Sequence, residues 1–333
     1  MTAGRIFLVI AAFILGFVRN HIYSFVLVPV NSGTSFCVRI PSKALRTLNN
    51  KMDEKPSYPE DYVLPTVWEN PVMEGTFGSI NRPTAGARSN KELPRGEHPL
   101  QLYSLGTPNG VKVTILLEEL GVEYDAWYIS IMEQEQFTSG FVAVNPNSKI
   151  PAMLDYDHAG SGDEPIRVFE SGSILLYLAE KYDKFIPKDL KSRTEVMNWL
   201  MFQMGSAPFI GGGFGHFYAY APIRIEYAIN RYAMETKRLL DVMDKHLEGR
   251  NYMVGDELTI ADIALWPWVR ILVINGYPNA NTFLQVESYH HLMKWYNLLA
   301  ERKGFQRGVK VNSFLPDSVR ERHSKDDFSP DEY

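Results

Sequence analysis

The sequence predicts a small α/β domain followed by an all-helical domain. Between Leu100 and Phe169, short runs of aromatic, β-branched and other apolar residues flank a segment with helical periodicity. From Ser192 onwards, apolar residues recur at helical spacing and no further strand pattern is found. The length of 333 residues is enough for two domains and additional segments. These three observations favour a strand-containing domain and a helical domain, in that order.

Residues 1–52 are predicted to be a targeting or leader segment outside the fold. They contain no Asp or Glu, and Ile6–Val18 is an uncharged apolar run of 13 residues. A membrane span needs about 20 apolar residues, so we expect membrane contact only if residues 6–30 are retained. Three interpretations stay open for this segment: a signal, an anchor, or a wrongly chosen start codon.

The remainder of the chain is acidic and has no cysteine. Residues 53–333 contain 28 Lys and Arg against 39 Asp and Glu, a net charge of −11, and lack a basic stripe, which argues against nucleic acid binding. The single cysteine, Cys37, lies in the leader. Any thiol chemistry must therefore come from a bound small molecule. None of the eight histidines has a metal-ligand spacing with a carboxylate or thiol, so no metal is expected.

The first predicted strand leads into a helix through a capped turn. Residues 53–97 are rich in Pro and Gly and predict an irregular extension that covers the site. Leu100 and Leu102 then alternate with polar residues, as in a strand, and Gly106–Asn109 end it. Thr107 is an N-capping type and Pro108 suits a first helical turn. The N-terminus of this helix suits an anion, and it lowers the pKa of a thiolate.

Further strands and helices follow from the same kinds of pattern. The predicted strands are Tyr124–Ile131, Ala152–Leu154 and Ile166–Phe169, and a helix runs from Glu170 to near Tyr182. We expect the strand that begins at Leu100 to run parallel to Tyr124–Ile131. The last two strands should pair as a hairpin around His158–Gly162. Later helices include Ile225–Leu247, one capped by Thr259 and Asp262, and Val286–Glu301. The predicted domains are residues 98–186 and 192–310, with a charged surface tail at 311–333.

Six segments carry a resemblance to a known family. Leu105–Gly110, Asn145–Pro151, Phe169–Leu175 and Thr259–Asp262 resemble the glutathione transferase family, and Gly211–Phe217 and Glu226–Arg231 resemble its Nu class. That class comprises bacterial disulfide-bond oxidoreductases and is related to the yeast prion nitrogen regulator. The resemblance spans residues 77–315. It implies a thioredoxin-like, glutathione-binding N-terminal domain and an all-α glutathione-transferase C-terminal domain. It also implies a homodimer and a cytoplasmic location; import into an organelle or anchoring through residues 1–52 is the alternative.

The candidate site residues match the chemical groups of glutathione. Glu170 can accept the γ-glutamyl ammonium, and Ser171 at a helix N-terminus can take its carboxylate, although a plain helix cap is the alternative. Thr107 and Asn109 are placed against the sulfur, where the threonine hydroxyl donates to the thiolate. The resemblance implies the remaining glutathione contacts: Asn81 from the extension, Pro108, Gln136 at the glycyl end, Ile150 through its backbone, and Arg231 to a carboxylate.

The resemblance implies a glutathione-dependent disulfide reductase that converts two glutathiones and a small disulfide into glutathione disulfide and two thiols. Glutathione is the co-substrate, and the same thiolate could reduce organic hydroperoxides. The alternatives are a transferase that conjugates glutathione to electrophiles and a non-catalytic binding module. The class binds two glutathiones in each site, but Met204 stands where it has a glutathione-contacting Gln. Gln203 lies about 100° around the helix from that position.

Overall fold

The computed structural model describes residues 25–29, 35–39, 63, 65–69, 74–75, 77–78, 80–157, 164–313 and 318–332. The apolar run Ile6–Val18 and the predicted turn His158–Gly162 lie outside the described residues. The chain divides into two units, Met1–Glu69 and Asn70–Tyr333. This boundary differs from the predicted one, which lies between residues 52 and 53, where the extension is expected to begin. In the first unit, strands β1 (Phe25–Pro29) and β2 (Ser35–Arg39) form an antiparallel pair.

The second unit begins with a four-stranded mixed sheet. Its strands and helices are, in chain order, β3 (Leu100–Ser104), α1 (Pro108–Leu120), β4 (Asp125–Tyr128), α2 (Ser139–Val144), β5 (Ala152–Asp155), β6 (Ile166–Phe169) and α3 (Ser171–Lys181). The strand order is β4-β3-β5-β6. β3 and β4 are parallel, and β5 is antiparallel to both β3 and β6. The predicted parallel crossover and the predicted pairing of the last two strands are thus confirmed.

Helices dominate the part of this unit between Leu190 and Gly308. They are α4 (Leu190–Pro208), a π-helix (Phe209–Tyr220), α5 (Glu226–His246), α6 (Ile260–Val273), α7 (Ala280–Leu284), α8 (His290–Ala300) and α9 (Lys303–Gly308). The predicted capping box of α6 is present. The predicted helix Val286–Glu301 is split, because Tyr289 adopts non-helical angles (φ −86°, ψ 82°) between a short 3-10 turn and α8.

Helix α1 joins the sheet to the helical part of the unit. Residues Gly110 to Leu120 are buried except Glu119, and α1 packs against α6 and α9. Helix α6 is itself almost entirely buried, and the carboxylate of Asp262 accepts hydrogen bonds from Met253, Thr259 and Trp295. The N-terminus of α1 therefore lies at the boundary between the sheet and the helical part of the unit.

The C-terminal segment, predicted to be a surface tail, packs against the sheet through a few of its residues, while most of its other described residues are exposed or partly exposed. The N–H of Ala126 on β4 donates to the carbonyl of Arg322 at 2.7 Å, and the N–H of Arg322 donates back to Ala126 at 3.2 Å. Arg322 and Phe328 are only 2% and 5% exposed. The charge pattern is misleading here because the acids that neutralise Arg322 are distant in sequence; Glu123 lies 3.1 Å from its guanidinium.

Candidate functional site

A cavity of about 470 Å³ opens at the N-terminus of α1. It is lined by segments from the extension, the sheet domain and the π-helix. The predicted site residues that line it are Asn81, Thr107, Pro108, Asn109, Gln136, Ile150, Glu170 and Ser171. Residues that the sequence distributes over 91 positions are therefore brought to one cavity.

Thr107 caps α1 and keeps a hydrogen available for a ligand. Its extended backbone (φ −80°, ψ 163°) ends the turn, and its hydroxyl oxygen accepts a hydrogen bond from the N–H of Gly110 at 3.4 Å. The hydroxyl hydrogen has no acceptor among the described residues and can be donated into the cavity. With the N–H of Asn109 in the first helical turn, it provides the environment that favours a thiolate.

A buried lysine, which the sequence analysis did not single out, fixes Asn109. The Nζ of Lys112 donates to Asn109 Oδ1 at 2.8 Å, Ser171 Oγ at 3.2 Å and Gln203 Oε1 at 2.6 Å. Trp268 also donates to Asn109 Oδ1, at 3.0 Å. With its oxygen held by two donors, the amide of Asn109 can present its NH₂ group to the sulfur of a ligand.

Lys112 is completely buried, and this burial lowers the pKa of its ammonium to about 7, partly opposed by the nearby charge of Glu170. The sequence signal that could have revealed it is one lysine inside the apolar run Val111–Leu117. A lysine at such a position is normally exposed, so a buried one indicates a specific set of acceptors.

Glu170 and Ser171 form the second end of the cavity at the start of α3. Glu170 adopts a positive φ of 68°, a conformation that is strained for a residue with a side chain. Its carboxylate accepts a hydrogen bond from Asn147 Nδ2 at 3.2 Å. Since Ser171 Oγ accepts from Lys112, its hydroxyl hydrogen is available beside the free N–H groups of the helix. An ammonium and a carboxylate can thus be bound side by side.

The remaining contacts lie at the opposite wall. Gln136 is 4% exposed, and its Oε1 has no hydrogen-bond partner among the described residues. An unsatisfied buried acceptor of this kind is expected to receive a donor from a ligand. Lys149 lines the same wall and donates to Asn81 Oδ1 at 2.9 Å, which adds a cation that the sequence analysis did not select.

Arg231 does not lie among the predicted site residues that line the first cavity. It lies on α5, does not line the cavity, and its guanidinium is 3.6 Å from the carboxylate of Glu235. Its predicted role stays a prediction. Gln203 faces Lys112 rather than the cavity, and the side chain of Met204 lies against Gly172 at the start of α3.

A second cavity of about 660 Å³ adjoins the first and has mostly apolar walls. The two cavities share the residues Phe77, Thr107, Pro108, Ile131, Gly211 and Trp268. Trp268, interpreted from the sequence as a packing residue, therefore lines both cavities and also orients Asn109. The arrangement provides a polar cavity and an apolar cavity that meet at Thr107.

Neither a cluster of metal ligands nor a membrane-spanning helix occurs in the described part of the chain. No group of three or more His, Cys, Asp or Glu side chains there could hold a metal ion. Within the same residues, no helix is both long enough and apolar enough to span a membrane.

The fold and the site define a glutathione transferase. The family model of the glutathione S-transferase N-terminal domain matches residues 107–181, and that of the C-terminal domain matches residues 226–303. Together with the relatives below, these matches show that the chain belongs to the glutathione transferase family, as the sequence motifs indicate.

Two relatives illustrate the similarity. The disulfide-bond oxidoreductase YghU of Escherichia coli is 57% identical over 263 residues, which cover 76% of this chain and 90% of that protein. The solved structure of glutathione transferase YghU from Streptococcus pneumoniae, complexed with glutathione, is 53% identical with a TM-score of 0.72. That match covers 75% of this chain and 97% of the other.

A solved Pseudomonas fluorescens family member with two bound glutathiones is 42% identical, with a TM-score of 0.60 over 64% of this chain and 94% of that one. Similarity of this extent includes both the sheet domain and the helical domain of the family.

Proposed function

We propose that this protein is a glutathione-dependent disulfide reductase that uses bound glutathione as the thiol. The observation that carries the proposal is the convergence of eight predicted glutathione contacts on one cavity at the N-terminus of α1. The names of its relatives, disulfide-bond oxidoreductase and glutathione transferase, support the same activity.

Each part of glutathione has a matching group in the cavity. The γ-glutamyl ammonium pairs with Glu170, and its carboxylate binds at Ser171 and the start of α3. The glycyl end lies near Gln136 and Lys149, where its amide N–H can donate to Gln136 Oε1 and its carboxylate can pair with the ammonium of Lys149. The sulfur lies at Thr107 and Asn109, where hydrogen bonds to the charged form lower the pKa of the thiol.

The reaction is a pair of thiol–disulfide exchanges. The bound thiolate attacks one sulfur of the disulfide, forms a mixed disulfide, and releases the first thiolate, which takes up a proton. A second glutathione, deprotonated in turn, attacks the glutathione sulfur of the mixed disulfide. This step releases the second thiol and glutathione disulfide. Residues 53–333 contain no cysteine, so the thiol that attacks belongs to glutathione.

The apolar second cavity favours one alternative, the conjugation of glutathione to an electrophilic carbon. Its position at Thr107 would place an apolar electrophile beside the same thiolate. Reduction of organic hydroperoxides by this thiolate is a further activity of the same site. The homodimer and the cytoplasmic location stay predictions made from the family resemblance.

The test compares Thr107→Val and Thr107→Ser in glutathione-dependent reduction of hydroxyethyl disulfide and in conjugation to an aryl halide. We expect strong reduction and weak conjugation by the wild type. Thr107→Val keeps the shape but loses the hydroxyl, both as a donor to the ligand and as the acceptor for the N–H of Gly110. It should lower kcat/KM for reduction about 10- to 100-fold and raise the pKa of the bound thiol.

Thr107→Ser should retain most of the activity, because it keeps the hydroxyl. Ultraviolet absorbance of the thiolate, followed against pH, reports the thiol pKa directly. Strong conjugation with little reduction would make the protein a conjugating transferase, and glutathione binding with neither activity would indicate a binding module.

A further inference from the structure

Arg270 places a cation in the second, mostly apolar cavity. It lies on α6 two residues after Trp268 and lines this cavity together with Thr107. The side chain is partly buried, and the resulting desolvation lowers the pKa of the guanidinium from its ordinary value. An arginine nevertheless stays protonated in proteins. The cavity that adjoins the proposed sulfur position thus has a permanent positive charge.

No acid from the described residues neutralises this charge. The lining of the cavity contains no Asp or Glu; its other titratable groups are Tyr128, Tyr220 and Tyr277. Burial raises the pKa of Tyr220 and Tyr277, so these phenols are neutral hydrogen-bond donors. Within the described chain, Arg270 forms no ion pair and no side-chain hydrogen bond. Its partial burial also reduces its contact with water. A partly buried charge without a partner is unfavourable, and a bound anion would compensate it.

We propose that this cavity selects a second substrate that has a carboxylate on an apolar body, and that Arg270 pairs with the carboxylate. The proposal rests on the proposed function, because this substrate reacts with the thiolate held at Thr107. Ile271 and Ile274, which follow on the same helix, line the cavity and can contact the apolar part of the substrate. The apolar walls also strengthen the ion pair by excluding water.

The experiment compares three disulfides of similar size at saturating glutathione: dithiodipropionate, which is anionic, hydroxyethyl disulfide, which is neutral, and cystamine, which is cationic. For Arg270→Gln, we expect kcat/KM for dithiodipropionate to fall about 10- to 100-fold, the range for loss of a charge-assisted hydrogen bond. The value for hydroxyethyl disulfide should stay unchanged, and that for cystamine should rise.

The control is Arg238→Gln, which changes the net charge equally. Arg238 is exposed on α5, pairs with Glu235 at 2.5 Å, and lines neither cavity. Its kinetics with all three disulfides should match those of the wild type. Equal thermal unfolding curves and equal glutathione affinity for Arg270→Gln and the wild type would show that the variant folds and keeps its first cavity.

The outcomes separate this proposal from the function on which it rests. An equal loss with all three disulfides, or a raised KM for glutathione, would assign Arg270 to a glutathione carboxylate and overturn the proposal. Unchanged kinetics with dithiodipropionate would overturn it as well. If the wild type shows no turnover, the proposed function fails. In that case a binding assay still tests the role of Arg270. Trp268 lies in the cavity wall, so quenching of tryptophan fluorescence by dithiodipropionate shows whether Arg270→Gln weakens the binding of this disulfide.

Discussion

Lys112 connects the two ends of the glutathione cavity. Its ammonium donates to Asn109 at the start of α1, to Ser171 at the start of α3, and to Gln203 on α4. These three acceptors use all three N–H groups of the lysine. The two side chains that face the ligand are therefore oriented before glutathione binds, which reduces the entropy lost on binding.

Lys112 also makes stability depend on pH. The pKa of its ammonium is about 7 in the folded chain because of burial, whereas the ordinary value, which the unfolded chain should have, is about 10.4. Between these values the unfolded chain binds more protons, so the free energy of unfolding rises with pH. We expect the difference in this free energy, wild type minus Lys112→Met, to increase by on the order of 2 kcal/mol between pH 7 and 9.

Guanidinium unfolding at the two pH values measures this difference. Lys245→Met is the matched control, because Lys245 is exposed on α5 and pairs with Asp241 at 2.6 Å. The control should show little pH dependence relative to the wild type. If the Lys112→Met and wild-type stabilities changed in parallel with pH, the buried ammonium would not have the lowered pKa described above.

At the scale of the elements, local signals predicted α1 and its cap well. Thr107 and Pro108 are short-range signals for a helix start, and α1 begins at Pro108 with Thr107 as its N-cap, as expected. Such local signals do not predict the π-helix. Its glycines pack against rings from other parts of the chain: a Cβ on Gly213 would lie 2.3 Å from Tyr232 on α5, and one on Gly215 would lie 2.5 Å from Tyr277 in the turn between α6 and α7.

The candidate site shows the same limit. Thr107, Glu170 and Ser171 occur in motifs that can be recognised locally, and all three line the cavity. The contributions of Lys112 and Trp268 arise only when α1 packs against α4 and α6, so they depend on tertiary structure. The packing of Arg322 against β4 likewise depends on acids far away in the chain.

A substitution of Gly110 tests whether α1 must lie as close to the preceding turn as it does in this structure. A Cβ at this position would lie 2.0 Å from the carbonyl oxygen of Leu105 and 2.5 Å from Ser104 Oγ. Because the nearest atom belongs to the backbone, Gly110→Ala must shift the start of the helix. We expect it to destabilise the protein by about 1–3 kcal/mol and to weaken glutathione binding at least 10-fold, as measured by denaturant unfolding and by calorimetry.

Gly205→Ala is the control for this change, since nothing lies within 4 Å of a Cβ there and the residue is inside α4. It should stabilise the protein by up to about 1 kcal/mol through helix propensity. Unchanged stability and glutathione affinity in Gly110→Ala would show that the turn can move without affecting the site.

At the scale of the whole Asn70–Tyr333 unit, one buried charged cluster joins distant parts of the chain. Glu118 on α1 lies 2.7 Å from Arg307 on α9 and 3.4 Å from Arg322 in the C-terminal segment. Arg322 also donates to the carbonyl of Tyr124, and its backbone pairs with Ala126. The C-terminal segment thereby covers the free edge of β4, which protects an exposed strand edge from other chains.

The last prediction concerns this cluster. Arg322→Met removes one cation from beside the buried carboxylate of Glu118 and leaves that charge with Arg307 as its ion-pair partner among the described residues. Because Glu118 keeps Arg307 and the hydroxyl of Tyr124 as partners, the cost is mainly the lost charge-assisted hydrogen bond of Arg322 to the carbonyl of Tyr124, and the free energy of unfolding should fall by about 1.5–3 kcal/mol. Arg320→Met, in the same segment but exposed and stacked on Tyr128, should change it by less than about 1 kcal/mol. Denaturant unfolding of both variants measures the difference, and equal effects would mean that the segment is bound only by its surface contacts.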